Sequence, residues 1–231
     1  MEKLQSKIII AGTIRTLTGL HIGGSKSALE IGGVDLNVIK TYQGIPYIPG
    51  TSLKGKLRWL AVREKGSDSV EKDPPEIARV FGRPESMSDD KKYYHSRLKV
   101  RDAYARLENG KSRYAGAAFD DVELELGYTE VKWENTIKRI NGEANPRQLE
   151  RVPENVGFAF SLVYDKMSEK EWKDDLQLIL TTMRLLQDDY LGGQGSRGYG
   201  KIAFEDVTLT ERTIEQYRSG HAGTLLQGYS I

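Results

Sequence analysis

Ten residues near the C-terminus constrain this chain more than any other stretch. Gly192-Gly193-Gln194-Gly195-Ser196-Arg197-Gly198-Tyr199-Gly200-Lys201 holds five glycines and two cations. Before it, Trp172, Leu176, Ile179, Leu180, Met183 and Leu186 recur at helical spacing, and after it Ile202 to Leu209 reads as a strand. The loop therefore leaves a helix and enters a strand. Gly193-x-Gly195-x-x-Gly198 has the spacing of a dinucleotide fingerprint, and Gly195-x-x-x-x-Gly200-Lys201 nearly that of a phosphate-binding P-loop. Both motifs leave a strand and open a helix, whose N-terminus faces phosphate. Position 202 is also Ile, where a P-loop needs a magnesium-holding hydroxyl. The order argues against a Rossmann domain or an NTPase. Glycine still permits positive φ and close approach to a ligand, and exposed N–H groups in such a loop can cradle phosphate. A helix stop and tight turn would use one or two of the same glycines.

The elements on either side suggest the frame. Lys7 to Thr16 alternates, with Ile8, Ile10 and Ile14 on one side. Ser52 reads as the cap of a helix to about Arg63, with Leu53, Leu57, Leu60 and Ala61 as its apolar stripe. Glu64 to Lys92 is charged and Pro-interrupted, and reads as an exposed, poorly ordered insertion around Ile77 to Phe81. Leu98 to Ala103 suggests a strand. Val131, Trp133 and Ile137 alternate with Lys132, Glu134 and Lys138, Asn141-Gly142 reverses the chain, and Asn145 to Arg151 returns. Phe158, Phe160, Leu162 and Tyr164 share one strand face, and Ser168 with Glu171 reads as a capping box. Strand, helix, strands, then strand, helix, strand predicts an α+β domain of ferredoxin-like type.

Composition narrows the chemistry. Among 231 residues there is no Cys, which excludes disulfides, thiolate zinc sites and a Cys nucleophile and fits a reducing cytoplasm. His21, His95 and His221 show no metal-ligand spacing. The N-terminal apolar run is too short for a signal peptide or a membrane span. The net charge of +1 is no global signature of nucleic-acid binding, so any RNA must be met by a local patch. One candidate patch is the start of the first helix. Lys54, Lys56 and Arg58 stand where the helix dipole disfavours cations, a conflict that a bound anion would resolve. The alternative is a solvated basic face.

These pieces together resemble the RAMP superfamily, and more closely the Csm-type backbone subunit of type III-A CRISPR complexes. The resemblance rests on Thr18 to Gly24, Ile48 to Arg58, Tyr128 to Ile137, Glu143 to Arg151, and Asp189 through Lys201. It implies one ferredoxin-like domain, similar to an RNA-recognition motif, over residues 1–231, with a lid-like insertion at about 64–95 and a thumb hairpin at 128–152. Its implied partners are CRISPR RNA, target RNA, other Csm subunits and further copies of itself, stacked head-to-tail. Implied RNA contacts are His21, Lys54, Lys56, Arg58, Asn135, Arg139, Arg147, Gly193, Gly195, Arg197, Gly198 and Lys201. The implied cleavage residue is Asp35, with a divalent metal, Mg²⁺ or Mn²⁺, engaged through RNA and water. From the residues alone, an Asp in a Gly-flanked loop is usually a turn residue.

Three rival readings stay open. A metal-free endoribonuclease that processes CRISPR RNA precursors would give His21 an acid–base part. A backbone subunit that binds guide RNA without cutting would not need Asp35. A small-molecule phosphate binder would use the Gly-rich loop alone.

Overall fold

The computed structural model describes residues 3–24, 36–83, 95–105, 126–167 and 169–231. Asp35, Ser168 and part of the lid-like insertion lie outside them.

The core begins with strand β1 (Ser6–Thr16), whose Ile8, Ile10 and Ile14 are fully buried. Strand β2 (Tyr47–Ile48) leads into helix α1 (Gly50–Lys65). Then come helix α2 (Pro75–Phe81), β3 (Leu98–Val100) and β4 (Ala103–Ala105). Strands β5 (Glu130–Ile137) and β6 (Ala144–Arg151) precede β7 (Gly157–Lys166). Helix α3 (Trp172–Asp188), β8 (Ile202–Thr213), the short helix α4 (Ile214–Ser219) and β9 (Thr224–Leu225) complete the order.

The main sheet runs β2-β4-β7-β1-β8-β9, with β3 also on β7, and every pairing is antiparallel. Strand β1 sits between β7 and β8, the ferredoxin-like arrangement expected from the sequence. Helices α1 and α3 pack together and bury Leu53, Leu57, Ile179 and Met183. No helix among the described residues is long and apolar enough to cross a membrane.

Three local expectations are corrected. Helix α1 starts at Gly50, with Pro49 rather than Ser52 as its cap. The Gly50 N–H donates to the Asp102 carboxylate at 2.7 Å, and a Cβ on Gly50 would meet the Val100 carbonyl at 2.4 Å. A distant acid thus caps the helix, which no local pattern could announce. Helix α3 starts at Trp172, with Glu171 as its cap and no side-chain cap bond. The Glu171 carboxylate is held instead by Arg97 at 3.0 Å and Arg79 at 3.6 Å. Third, residues 75–81 are not an exposed insertion. Ile77, Ala78 and Val80 of α2 are fully buried. Arg79 chelates the fully buried Asp175 of α3, whose carboxylate also accepts the Tyr164 hydroxyl at 2.6 Å. Burial and that carboxylate push the Tyr164 hydroxyl well above its ordinary pKa. Four apolar positions in a charged stretch, Ile77, Ala78, Val80 and Phe81, anchor it to the core.

Candidate nucleic-acid interface

The Gly-rich loop is stitched to the loop that carries His21. The Gly193 N–H donates to the His21 carbonyl at 2.8 Å, and Gly200 N–H to the Gly19 carbonyl at 3.0 Å. Lys201 N–H donates to the Thr18 hydroxyl at 3.0 Å. Close approach explains two glycines. Gly192 has φ +79 and a Cβ there would lie 2.3 Å from the His21 carbonyl oxygen; on Gly195 it would strike the Tyr190 ring at 2.0 Å. Gly195–Arg197 forms a single 3₁₀ turn between Gln194 at φ 62 and Gly198 at φ 82. The N–H groups of Gln194, Gly195 and Ser196 take no acceptor among the described residues. Those of Gly193 and Gly198 already donate internally, Gly198 to the Gly195 carbonyl at 3.2 Å. A phosphate would therefore meet the middle of the loop rather than either of those two glycines.

His21 is 6% exposed, and its Nδ1 lies 2.7 Å from the Glu150 carbonyl. A carbonyl only accepts, so Nδ1 carries a proton and donates it. Glu150 is itself 2% exposed and organises the neighbourhood. Its carboxylate accepts the Val38 N–H at 2.8 Å and engages Thr129 and Lys40. Its own N–H donates to the Leu36 carbonyl at 3.1 Å, and Leu36 bridges Leu149. The residue after Asp35 is thus tied to the base of the β5–β6 hairpin and to the His21 loop.

The hairpin has the expected two faces and reversal. Its register pairs Trp133 with Gln148, Glu134 with Arg147 and Asn135 with Pro146. Trp133 and Ile137 are 63% and 66% exposed on one face, with Asn135 between them. The other face turns Lys132, Glu134, Arg147 and Arg151 toward the Gly-rich loop. Glu134 accepts from Arg147 at 3.0 Å and Arg197 at 3.2 Å, while Lys132 and Arg151 lie over the Tyr199 ring. Burial, and then the Glu134 carboxylate, push the Tyr199 hydroxyl up to about 12.

The family model of the RAMP superfamily matches residues 13–203. This chain belongs to the RAMP superfamily. A relative from Streptococcus thermophilus, named CRISPR system Cms endoribonuclease Csm3, is 44% identical over 211 residues, covering 89% of this chain and 90% of its own. One of the same name from Enterococcus italicus is 41% identical over 206 residues, covering 87% and 91%. The crystal structure of a Csm3-Csm4 subcomplex in the type III-A CRISPR-Cas interference complex aligns with a TM-score of 0.59 and 28% identity, over 97% of this chain and 91% of that one. Within the superfamily, this RAMP chain is of the Csm-type backbone kind.

The expected contact residues fall into two groups. Around the Gly-rich loop and thumb the fold gathers His21, Gly193, Gly195, Arg197, Gly198, Arg147 and Asn135. Arg139 and Lys201 are exposed there, and their side chains take no partner among the described residues. The basic start of α1 is different. Lys54 donates to the Ser96 hydroxyl at 2.7 Å and the Leu98 carbonyl at 3.0 Å. Burial and the nearby Arg58 lower its pKa. Arg58 pairs with the buried Asp73 at 2.7 Å. Lys56 pairs with Asp189 at 3.1 Å and sits against the Trp59 and Tyr190 rings. Of the three, Lys56 alone faces an open cleft of ≈ 620 Å³, lined also by Ile22, Thr51, Gly55 and Gly193. Sequence reasoning missed Glu150 and Glu134. The available signals were weak: an acid beside two arginines in β6, and Glu134 two residues from Lys132 in β5.

Among the described residues no group of three or more His, Asp or Glu could hold a metal ion. A site with three or more such ligands is therefore not available among them, whereas magnesium commonly binds through one or two carboxylates with phosphate and water.

Proposed function

We propose that this RAMP chain is the guide-RNA-binding backbone subunit of a type III-A CRISPR interference complex and cuts target RNA at regular intervals. The observation that carries the proposal is a convergence. The His21 loop, the Gly-rich loop, the thumb base and the segment leaving Asp35 are hydrogen-bonded to one another. Free loop N–H groups and cations suit a ribose-phosphate surface gripped without base reading. Copies of the chain would stack head-to-tail along one guide, a heterologous contact that gives an open filament, beside other Csm subunits.

In this reading the thumb, with exposed Trp133 and Ile137, splays a nucleotide from the guide–target duplex. The 2′-hydroxyl beside it attacks the adjacent phosphorus, and the 5′-oxygen leaves. A bound Mg²⁺ or Mn²⁺ would supply charge stabilisation at that phosphate. Asp35 would hold the ion by its carboxylate. Glu150 would fix the segment that follows Asp35.

The test is cleavage of a matched target by the assembled complex. Asp35→Ala and Asp35→Asn should each abolish cutting and leave RNA affinity and assembly near wild type. Excess chelator should mimic them. Normal cutting by Asp35→Ala refutes the role of Asp35 and turns attention to His21. Cutting that persists in chelator refutes the metal.

A further inference from the structure

Glu134 is out of place on a surface meant for phosphate. It lies mid-strand on the thumb face that meets the Gly-rich loop. Its Oε2 accepts from Arg147 Nη2 at 3.0 Å, directly across the hairpin, and from Arg197 Nη1 at 3.2 Å, 63 residues later in the chain. Lys132 Nζ lies 3.8 Å from the other oxygen. The carboxylate is 11% exposed, whereas the Lys132, Arg147 and Arg197 side chains are 35%, 31% and 48% exposed. One sunken anion thus stands under three cations that reach solvent. Glu134 and Arg197 also line an open cleft of ≈ 410 Å³, together with Asn135, Thr136 and Ile137.

Two guanidinium groups converging on a single oxygen is the arrangement that recognises a phosphate. The cations outnumber the acid that they share, so the cluster keeps positive charge to offer. The other carboxylates in the described fold that meet two guanidinium groups, Glu171 and Asp175, face Arg79 and Arg97, whose side chains are only 9% and 7% exposed. Asp73 receives one guanidinium, and Glu130 receives Arg151 alone at 2.6 Å. The hairpin is also only two strands wide, too few to be rigid by itself. The Glu134–Arg197 pair is one of the ties that hold it to the Gly-rich loop.

We infer that Lys132, Arg147 and Arg197 form an RNA-phosphate site at the junction of thumb and Gly-rich loop, and that Glu134 fills it until RNA displaces the carboxylate. The inference rests on the RNA-binding reading above and adds a self-occluding acid to it. Displacement frees the thumb from the loop as the phosphate arrives. Affinity in the wild type is then reduced by the competition, because RNA must win a site that is already neutralised.

The experiment is a titration of the purified chain with a fluorescein-labelled, unstructured single-stranded RNA over a range of salt. Glu134→Gln keeps the shape and loses the charge. It should bind roughly fivefold tighter at low salt, the size of one or two charge pairs. The slope of log affinity against log salt should steepen by about 0.7, one more phosphate contact. Adding Arg197→Gln to Glu134→Gln should return affinity to wild type or below. Glu134→Asp keeps the charge but cannot reach both guanidinium groups, and should tighten binding by a smaller factor. It also serves if Glu134→Gln folds poorly, as judged by its melting curve. Equal or weaker binding by the folded acid variants overturns the occlusion and makes Glu134 a plain structural partner. If the wild type and every variant fail to bind RNA, the RNA-binding reading itself falls.

Discussion

The start of α1 and the junction of thumb and Gly-rich loop look alike in sequence and differ in structure. Both are short basic stretches beside glycines. At α1, Lys54, Lys56 and Arg58 each have their own internal partner, and two of those partners, Asp73 and the Leu98 carbonyl, are buried. At the junction, three cations share Glu134, while Lys201 and Arg139 have no side-chain partner among the described residues. A cation is visible in a sequence; its partner, a carboxylate 15 residues away for Arg58 or a hydroxyl 42 residues away for Lys54, is not. On the proposed reading the first cluster serves mainly the architecture and the second the ligand surface.

The largest expected effect tests the architectural half. Asp73→Ala leaves Arg58 facing a site with no acid and also removes the acceptor of Ser67. Breaking a pair with one member buried costs about 3 kcal/mol. In a chain of this size that is a drop in Tm of roughly 6–12 °C. RNA affinity should stay within twofold. A large loss of affinity with an unchanged Tm would reverse the assignment of the two regions.

A smaller effect tests the ligand half. Lys201→Ala and Arg139→Ala should each leave the Tm almost unchanged, because exposed, unpaired side chains contribute little to stability. Each should weaken RNA binding by a few-fold and flatten the salt slope by about 0.7. Lys54→Met should do neither to RNA. Equal RNA losses from Lys54→Met and Lys201→Ala would make the distinction between the regions meaningless.

The same contrast explains what was legible in the sequence. The periods were: β1, β7 and α3 bury the residues that alternation and helical spacing selected. The thumb was also legible, because Asn141-Gly142 marks its reversal and Gly142 takes φ +70 there. What failed was pairing at a distance. Ser52 lost the cap of α1 to Pro49 and Asp102, and α2 proved buried, with its Arg79 paired to Asp175 96 residues away. In the site, the loops could be named but their bonding could not. Gly193 and Gly198 were expected as donors to RNA and already donate to His21 and Gly195. Asp35 lies outside the described residues, so the link between it and the site rests on Leu36.

The thumb offers a third way to separate grip from geometry. Deleting residues 140–145 removes the turn and leaves Lys132, Glu134, Arg147 and Arg197 in place. Guide binding should change less than twofold, whereas the regular spacing of cuts on target RNA should blur. Unchanged cut positions on a sequencing gel would mean that the ruler lies elsewhere.

The smallest expected effect is an alkaline one, confined to the junction. Tyr199 lies 1% exposed beneath Lys132 and Arg151, and burial and Glu134 hold its hydroxyl up at about 12. An unfolded tyrosine ionises near pH 10. Between those values the unfolded state has lost its proton and the folded state has kept it. Stability from this group is therefore complete below pH 10 and is lost as pH rises toward 12. Other groups titrate in that range, Tyr164 among them, so the useful quantity is a difference. Melting curves of the wild type minus those of Tyr199→Phe should be flat below pH 10 and fall above it. Tyr199→Phe keeps the ring under Lys132 and Arg151, so RNA affinity at neutral pH should not move. A difference curve that stays flat to pH 12 would mean that burial does not hold the proton on this hydroxyl, and that the junction is looser than the 1% exposure of Tyr199 indicates.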